Sequence, residues 1–454
     1  MTKRRDFIKK SVLGGAGITI GGMGFNCYSY GSIIGANDRI NVAAIGLGGR
    51  GGTHVNSWCA LKDVQNVRLK TICDADELRI SEKAKITEQK LGIKPLTEWD
   101  MRKVFDDKEI HAVSFATPNH WHALGTIWAC QAGKHVYVEK PACHNVFEGL
   151  KIIEAARKYK VHVQVGSQNR SIINYIEAMK FLHGGGIGDV YMARALCFKP
   201  RDSFGIAKDS EPPTTLHYDL WLGPASYRPY NEKRTGRYNW HWFWDTGNGD
   251  TGNQGVNEME IQRWGLNKNE LPVSIYSDGG IYGIDPNECE QETPNTQTSQ
   301  FKYADGKMLV FETRGRYTNA ESSMNTNIGN IFYGTEGYLV LNNDSARAWK
   351  AFRKREKEPF IGSTEETDKQ SGAGELSHFA NFIEAIRSDK DEILRCSIND
   401  GFYSSALPAL ANISYRLGRN LRYNNETNKF VNDNEADTML TRIYRKPYVV
   451  PDKI

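Results

Sequence analysis

Cysteine is scarce in this chain, eight in 454 residues, and none of the eight stands in a C-x-x-C spacing. That scarcity excludes a disulfide framework and a thiolate zinc site, and no metal is expected. Several of these cysteines sit in apolar, strand-like runs, where a buried free thiol is the expected state. The body of the chain also lacks any excess of charge. The formal net charge is +4, and the first 36 residues carry all of it, through Lys3, Arg4, Arg5, Lys9 and Lys10 against Asp6. A neutral body argues against nucleic acid or an anionic membrane surface as partner. No internal repeat is present. A good membrane span is missing too, because the one apolar run near the N-terminus, 12–25, is weak and rich in glycine.

What the N-terminus does contain is Lys3-Arg4-Arg5-Asp6-Phe7-Ile8-Lys9, which closely resembles a twin-arginine export signal. Residues 1–36 are therefore expected to be a signal peptide, cleaved after Ile34-Gly35-Ala36, and the protein to be exported to a periplasm. A lipid anchor on Cys27 is the alternative, although Gly24-Phe25-Asn26 fits a lipobox poorly.

From residue 38 to about 166 short β-branched runs alternate with helical patterns. The runs fall at 40–45, 67–73, 112–116, 135–139 and 161–165, with helices expected at 123–132 and 146–159. Such alternation predicts an α/β fold: a doubly wound parallel sheet over 37–166 with its ligand at the carboxyl ends of the strands. After a helix at 172–183 the pattern changes. Runs at 189–198, 273–282, 298–303, 308–317 and 330–341 alternate polar and apolar residues, and Ala304-Asp305-Gly306-Lys307 joins two of them as a hairpin. Residues 167–454 are thus expected to form a second, α+β domain around a large, mainly antiparallel open sheet. Helices return at 375–387 and 400–417. The stretch 201–255, rich in Pro, Gly, Trp and Tyr, has little periodicity and is too long for an idle loop.

Gly46, Gly48 and Gly51 follow the first strand and precede a helical pattern starting near Thr53. Glycine there permits a tight turn, close approach of a pyrophosphate and helix–strand packing, and the helix N-terminus offers amide donors. Asp74 ends the second strand 28 residues beyond Gly46. It can accept from adenosine ribose hydroxyls and repel a 2′-phosphate, which favours NAD over NADP; a plain helix N-cap is the simpler role. Thr117-Pro118-Asn119-His120-Trp121-His122 follows the run at 112–116, and Thr117, Asn119 and His122 are expected beside the cofactor. Glu139-Lys140-Pro141 ends the run at 135–139. A lysine there reaches both a nicotinamide and a substrate hydroxyl, and relays a proton if burial or neighbouring cations lower its pKa. Trp240, Trp242 and Trp244 with His241 and Asp245 suit a sugar site, since indoles stack on pyranose faces, or they pack the loop.

The order G-x-G-x-R-G, C-D, T-P-N-x-x-H, E-K-P resembles the Gfo/Idh/MocA oxidoreductases. Val165-Gly166-Ser167-Gln168-Asn169-Arg170, Leu220-Trp221-Leu222-Gly223-Pro224, the segment 240–255 and His378-Phe379-Ala380-Asn381-Phe382 extend the likeness, over about residues 38–422, to an exported branch common in polysaccharide-degrading bacteria. The resemblance implies a Rossmann domain, a second domain whose open sheet often mediates oligomerisation as dimer or tetramer, and NAD(P)-dependent redox chemistry on a sugar carbinol. Arg50, Glu139 and Gln168 join the cofactor set; Arg170, Tyr175, His241, Trp242 and Asn253 join the substrate side. The resemblance also implies a catalytic histidine near the start of a helix, in a stretch like G-N-Q-G-x-H-E-M-D. Here that position is Asn257, in Gly252-Asn253-Gln254-Gly255-Val256-Asn257-Glu258-Met259-Glu260. An amide cannot take a hydroxyl proton, so Lys140 works alone, Glu260 substitutes, or His241 enters from the tryptophan-rich loop.

The resulting expectation is an exported NAD-dependent dehydrogenase acting on a small sugar or glycoside, with ketosugar product, possibly oxidised at carbon 3. Because nicotinamide dinucleotides are not expected to be free outside the cytoplasm, the cofactor should be tightly held. Two alternatives stand beside it: a glycoside hydrolase that uses NAD transiently through oxidation and elimination, and a non-catalytic sugar-binding relative.

Overall fold

Six short strands open the fold: β1 (Ile40–Ile45), β2 (Val67–Cys73), β3 (Leu96–Glu98), β4 (Ala112–Phe115), β5 (His135–Glu139) and β6 (Val163–Gly166). They pair in parallel in the order β3-β2-β1-β4-β5-β6. β4 is buried at every position, as expected for strands covered on both faces, and therefore reads as a continuous apolar run. The edge strand β3 escaped the sequence reading because two of its three residues are exposed and leave no apolar signature.

The computed structural model describes residues 38–454, apart from 237, 317, 344–346, 365 and 368–372. The expected signal peptide, its cleavage site and Cys27 lie outside the described residues. No helix among the described residues is long and apolar enough to cross a membrane, and they hold no cluster of metal-ligating side chains.

Local chemistry sets the helices between the strands. Helix Val146–Tyr159 starts at a reciprocal cap: the Asn145 side chain accepts from Glu148 N at 2.9 Å, and Glu148 in turn accepts from Asn145 Nδ2 at 3.0 Å and from His144 N at 2.8 Å. Helix Glu77–Leu91 is capped by Asp76 and stopped by Gly92 at φ 71°. The helix after β1 begins at Gly49, not near Thr53, because Gly48 already serves as its N-cap. The glycine loop is therefore the first helical turn itself.

The second sheet has ten strands in the order β14-β13-β12-β11-β7-β10-β9-β8-β15-β16. Its members are β7 (Val190–Cys197), β8 (Ser274–Gly280), β9 (Thr296–Lys302), β10 (Met308–Arg314), β11 (Ile328–Gly334), β12 (Gly337–Asn342), β13 (Trp349–Arg353), β14 (Ile361–Gly362), β15 (Leu421–Asn424) and β16 (Lys429–Phe430). Only β7 and β10 run parallel. The run read at 330–341 as one strand is a hairpin: Tyr333 pairs with Tyr338 across Gly334–Gly337. The turn Gly334-Thr335-Glu336-Gly337 separates its two apolar halves, and the sequence reading ran through it because the apolar alternation resumes directly behind it. In its described residues the long segment 201–255 holds short helical turns, among them Tyr218–Leu222, Asn239–Trp242 and Gly249–Asn253.

Residues 40–454 form one compact unit, and both sheets share an interior. Val138 of β5, Phe402 of helix Ile398–Leu417, Met259 of helix Gly255–Gly265 and Phe301 of β9 belong to one apolar cluster. Helix Ile398–Leu417 packs on helix Val146–Tyr159, helix Gly255–Gly265 and β8 together. This shared core brings the carboxyl end of β5 against the loop 238–253.

Candidate active site

At the carboxyl ends of the parallel strands lies a cleft of about 320 Å³. Its floor is the glycine loop. Gly46 has φ 83°, and a Cβ there would stand 2.6 Å from Thr117 N; one on Gly51 would stand 1.9 Å from Gly46 O. Only glycine permits that approach. Gly46, Gly48 and Arg50 line the cleft, whereas Gly51 serves helix–strand packing behind it. Asp74 Oδ2 accepts from Leu47 N at 2.6 Å and Oδ1 from Asp76 N at 2.9 Å. It thereby ties the glycine loop to the turn after β2 while facing the cleft. Burial pushes its carboxyl above the usual range, against the pull of Arg79. Arg79 itself lines the cleft, with a guanidinium nitrogen 2.6 Å from where a Gly48 Cβ would be.

Thr117 Oγ1 and Asn119 Nδ2 are buried in the cleft wall without a protein partner. Together with the Cβ-free cradle and the amides of a helix N-terminus, these two orphaned groups fit a dinucleotide. His122 lines the cleft, but its ring nitrogens face Pro141 O at 2.7 Å and Thr117 O at 2.9 Å. It holds the two loops together and has no nitrogen left for a ligand.

Glu139 is a hub at 4 % exposure. Its Oε1 accepts from Arg50 Nε (2.7 Å), His54 Nε2 (3.1 Å) and Gln168 Nε2 (2.8 Å), and Arg50 also pairs with Glu375 at 2.6 Å. Burial alone would raise this carboxyl; Arg50, His54 and Lys140 outweigh it and hold it below the ordinary carboxylate range. Gln168 reaches Glu139 and Tyr137 from outside the cleft lining, so it orients the hub.

Lys140 points into the cleft and donates from Nζ to Asn253 O at 2.7 Å. Burial, then Arg50 and Lys199, lower its pKa from 10.5 to about 8, against the opposing pull of Glu139 and Asp250. Asn253 Nδ2 donates to Tyr238 Oη at 2.7 Å and to Asp250 Oδ1 at 3.1 Å. Asp250 is clamped by Arg201 through two bonds of 2.8 Å, and that guanidinium lies over the Tyr238 and Trp242 rings. Beside them, His241 stacks on Trp240 at 3.5 Å between centroids, and both line the cleft. His241 Nδ1 stands 2.7 Å from Tyr238 O, so Nδ1 carries the hydrogen and Nε2 is a lone pair. Burial, with Lys140 and Arg201 nearby, lowers its pKa to about 3.

The structure does not bring the remaining expected residues to the cleft. Asn257 lies half-buried near the start of helix Gly255–Gly265, outside the lining. Glu260, 1 % exposed, is held by Arg170, Arg263 and Ser404, and two guanidiniums leave it no role as a base. Arg170 also pairs with Asp400 and covers Trp264. Tyr175 is fully buried, with its hydroxyl on Asn342 O at 3.4 Å. Trp242 packs under Arg201 beside the cleft. These residues were drawn in by proximity to motifs in the sequence, and packing turns them inward.

Sequence reasoning missed the far wall. Tyr238, Trp221, Trp99, Arg79 and Tyr448 all line the cleft. Trp221 was inside a motif already noted, but nothing in the sequence aims Trp99 or Tyr448 at it. Residues 215–217 strap this end. Leu216 bridges Asp76, Glu77 N donates to Thr215 O at 2.9 Å, and His217 N donates to Ala75 O at 2.8 Å. The His217 ring stacks on Trp99 at 5.1 Å and meets Glu77 Oε1 at 2.8 Å. Tyr448 closes the same side, packed on Trp121 and bonded to Asp219 at 2.8 Å.

Two family models match this chain: an oxidoreductase family with an NAD-binding Rossmann fold over residues 40–167, and the C-terminal alpha/beta domain of that oxidoreductase family over 205–344 and 368–450. Among curated proteins, a glycosyl hydrolase family 109 protein of Shewanella baltica is 27% identical over 207 residues, 40% of this chain and 44% of that one. The levoglucosan dehydrogenase of Pseudarthrobacter phenanthrenivorans is 31% identical over 162 residues, 34% of this chain and 40% of its own. The chain thus spans under half the length of these relatives. Among solved structures, the WlbA dehydrogenase of Bordetella pertussis, in complex with NADH and UDP-GlcNAcA, shares the fold at a TM-score of 0.63 and 19% identity, covering 85% of this chain and 98% of that one. With both domain models matched over most of its length and the glycine loop, Asp74 and Lys140 gathered in one cleft, the chain belongs to the Gfo/Idh/MocA family of NAD-binding oxidoreductases.

Proposed function

We propose that this protein oxidises a carbinol of a small sugar or glycoside with a tightly held NAD, giving a ketosugar. The observation that carries this reading is Lys140: a lysine at the end of β5, anchored on Asn253 O, with its remaining Nζ hydrogens turned to a cleft walled by Trp240, Trp221 and Tyr238. The bound dinucleotide would supply the hydride acceptor. Gly46, Gly48 and the first turn of helix Gly49–Ala60 would hold its pyrophosphate, Asp74 its ribose, and Thr117 and Asn119 its inner half. Lys140 holds the oxygen that changes from hydroxyl to carbonyl, and Asn253, Tyr238 and Asp250 fix Lys140 in place. Aromatic walls suit a pyranose face, and they exclude water. The strap at 215–217 supports tight retention of the cofactor. Lys3-Arg4-Arg5 and the run behind it support export, and the exposed Tyr191 and Tyr276 of the second sheet favour a homo-oligomer.

The similarity to glycosyl hydrolase family 109 proteins favours a second reading: the same oxidation followed by elimination of the aglycone and return of hydride. One experiment separates them. Purified protein, without added nucleotide, is mixed with a panel of alkyl and aryl glycosides while absorbance at 340 nm and released sugar are followed. A stable rise without sugar release supports the dehydrogenase; sugar release without a lasting rise supports the hydrolase; neither signal refutes both.

A further inference from the structure

Oxidation of a carbinol releases a proton, and the cleft must hold a group that accepts it. Lys140, its pKa lowered to about 8, is mainly ammonium at neutral pH and so mainly lacks a lone pair, whereas burial weakens His241 as a base but leaves it neutral with a bare nitrogen. The other acid–base groups at this end are committed: Glu139 to Arg50, His54 and Gln168, and His122 to two carbonyl oxygens. Asp250 is occupied by Arg201 and Asn253. Glu260 and Asn257 are elsewhere. Among the described residues at this end, one imidazole acceptor is left. His241 is 7 % exposed, lines the cleft beside Lys140, Tyr238 and Asn253, and is locked by Tyr238 O into the tautomer whose Nε2 is bare. The stack on Trp240 fixes the plane of its ring, and among the described residues Nε2 has no protein partner.

We infer that His241 is the catalytic base of this chain, supplied from the tryptophan-rich loop rather than from helix Gly255–Gly265, where Asn257 stands. The assignment rests on the redox reading above. As the carbinol C–H electron pair passes to the nicotinamide dinucleotide, the O–H pair becomes the second bond of the carbonyl and the proton moves to His241 Nε2. Lys140 meanwhile donates to the same oxygen. On the return of hydride the proton goes back by the same route, so no external acid is needed. The family's usual arrangement is thereby kept in chemistry and moved in position: Asn253 still anchors the lysine through its backbone, and the imidazole comes from twelve residues earlier in the chain than Asn253.

The test uses the protein with its bound nucleotide and a glycoside that reduces it. His241→Gln is expected to slow the first turnover about 100-fold at unchanged nucleotide content, as removal of a general base does. His241→Gly is expected to lose as much and to regain activity with added imidazole, while Lys140→Met is not restored by it. A His241→Gln rate within about threefold of wild type, or a loss in His241→Gly that imidazole leaves untouched, overturns the assignment. Loss that tracks lost nucleotide in both variants overturns it as well. If wild-type protein reduces its nucleotide with no glycoside, the functional reading fails and takes this assignment with it, so the two failures are told apart.

Discussion

Raising the pH from 7 to 9 should slow reduction of the bound nucleotide about tenfold, with a midpoint near 8. The perturbation acts on Lys140, whose pKa falls from 10.5 to about 8 through burial and the cations Arg50 and Lys199. That change corresponds to about 3 kcal/mol in favour of the neutral amine. At pH 7 about nine-tenths of the lysine is still ammonium and donates to the reacting oxygen; at pH 9 about one-tenth is. Glu139 and Asp250 oppose the lowering, while His241, neutral across this range, adds no second limb above pH 5. The assay is single-turnover absorbance at 340 nm from pH 6 to 10 on protein as purified. Lys199→Met, which removes one depressing cation, should move the midpoint upward. A rate that rises through pH 8 would make Lys140 the base and refute this division of labour. A midpoint at the ordinary lysine value would refute the burial argument itself.

Three further outcomes are expected. Glu139→Gln leaves Arg50 and His54 facing an amide and should lower stability by about 3 kcal/mol, read by thermal unfolding of the loaded protein. Asp74→Asn keeps an acceptor for Leu47 N but removes the charge, and should raise NADP uptake on reloading by about tenfold relative to NAD. Trp99→Ala with His217→Ala removes the stack and the His217–Glu77 hydrogen bond of the strap, about 1–2 kcal/mol, and should make nucleotide leave about tenfold faster during desalting, followed by the 260 to 280 nm absorbance ratio.

The cofactor half of the site was legible because its constraints are local. A glycine that must take φ 83° and an aspartate at the end of a strand announce themselves within a few residues. β1, β2 and β5 were readable to the residue, since both faces are buried and the runs are continuous. The substrate half was not legible in the same way. Trp240 and His241 lie on a 3-10 turn without periodicity, so which ring faces the cleft is decided by the Arg201–Asp250 clamp and not by local pattern. The choice of Glu260 went wrong for a related reason: its partner Arg170 lies 90 residues away in sequence, and only the fold brings the two together. Tyr448 and Trp99 reach the cleft through tertiary packing alone.

The strap joins positions 140 residues apart, Glu77 and His217. The turn after β2 and the segment that covers it belong to widely separated stretches of the chain, so the cover forms only when the fold is assembled. A dinucleotide bound as proposed would leave when the Asp76–Leu216 bridge and the contacts around it open, and its dissociation rate would follow that local opening. A coenzyme held as proposed would then exchange at a rate that the strap sets.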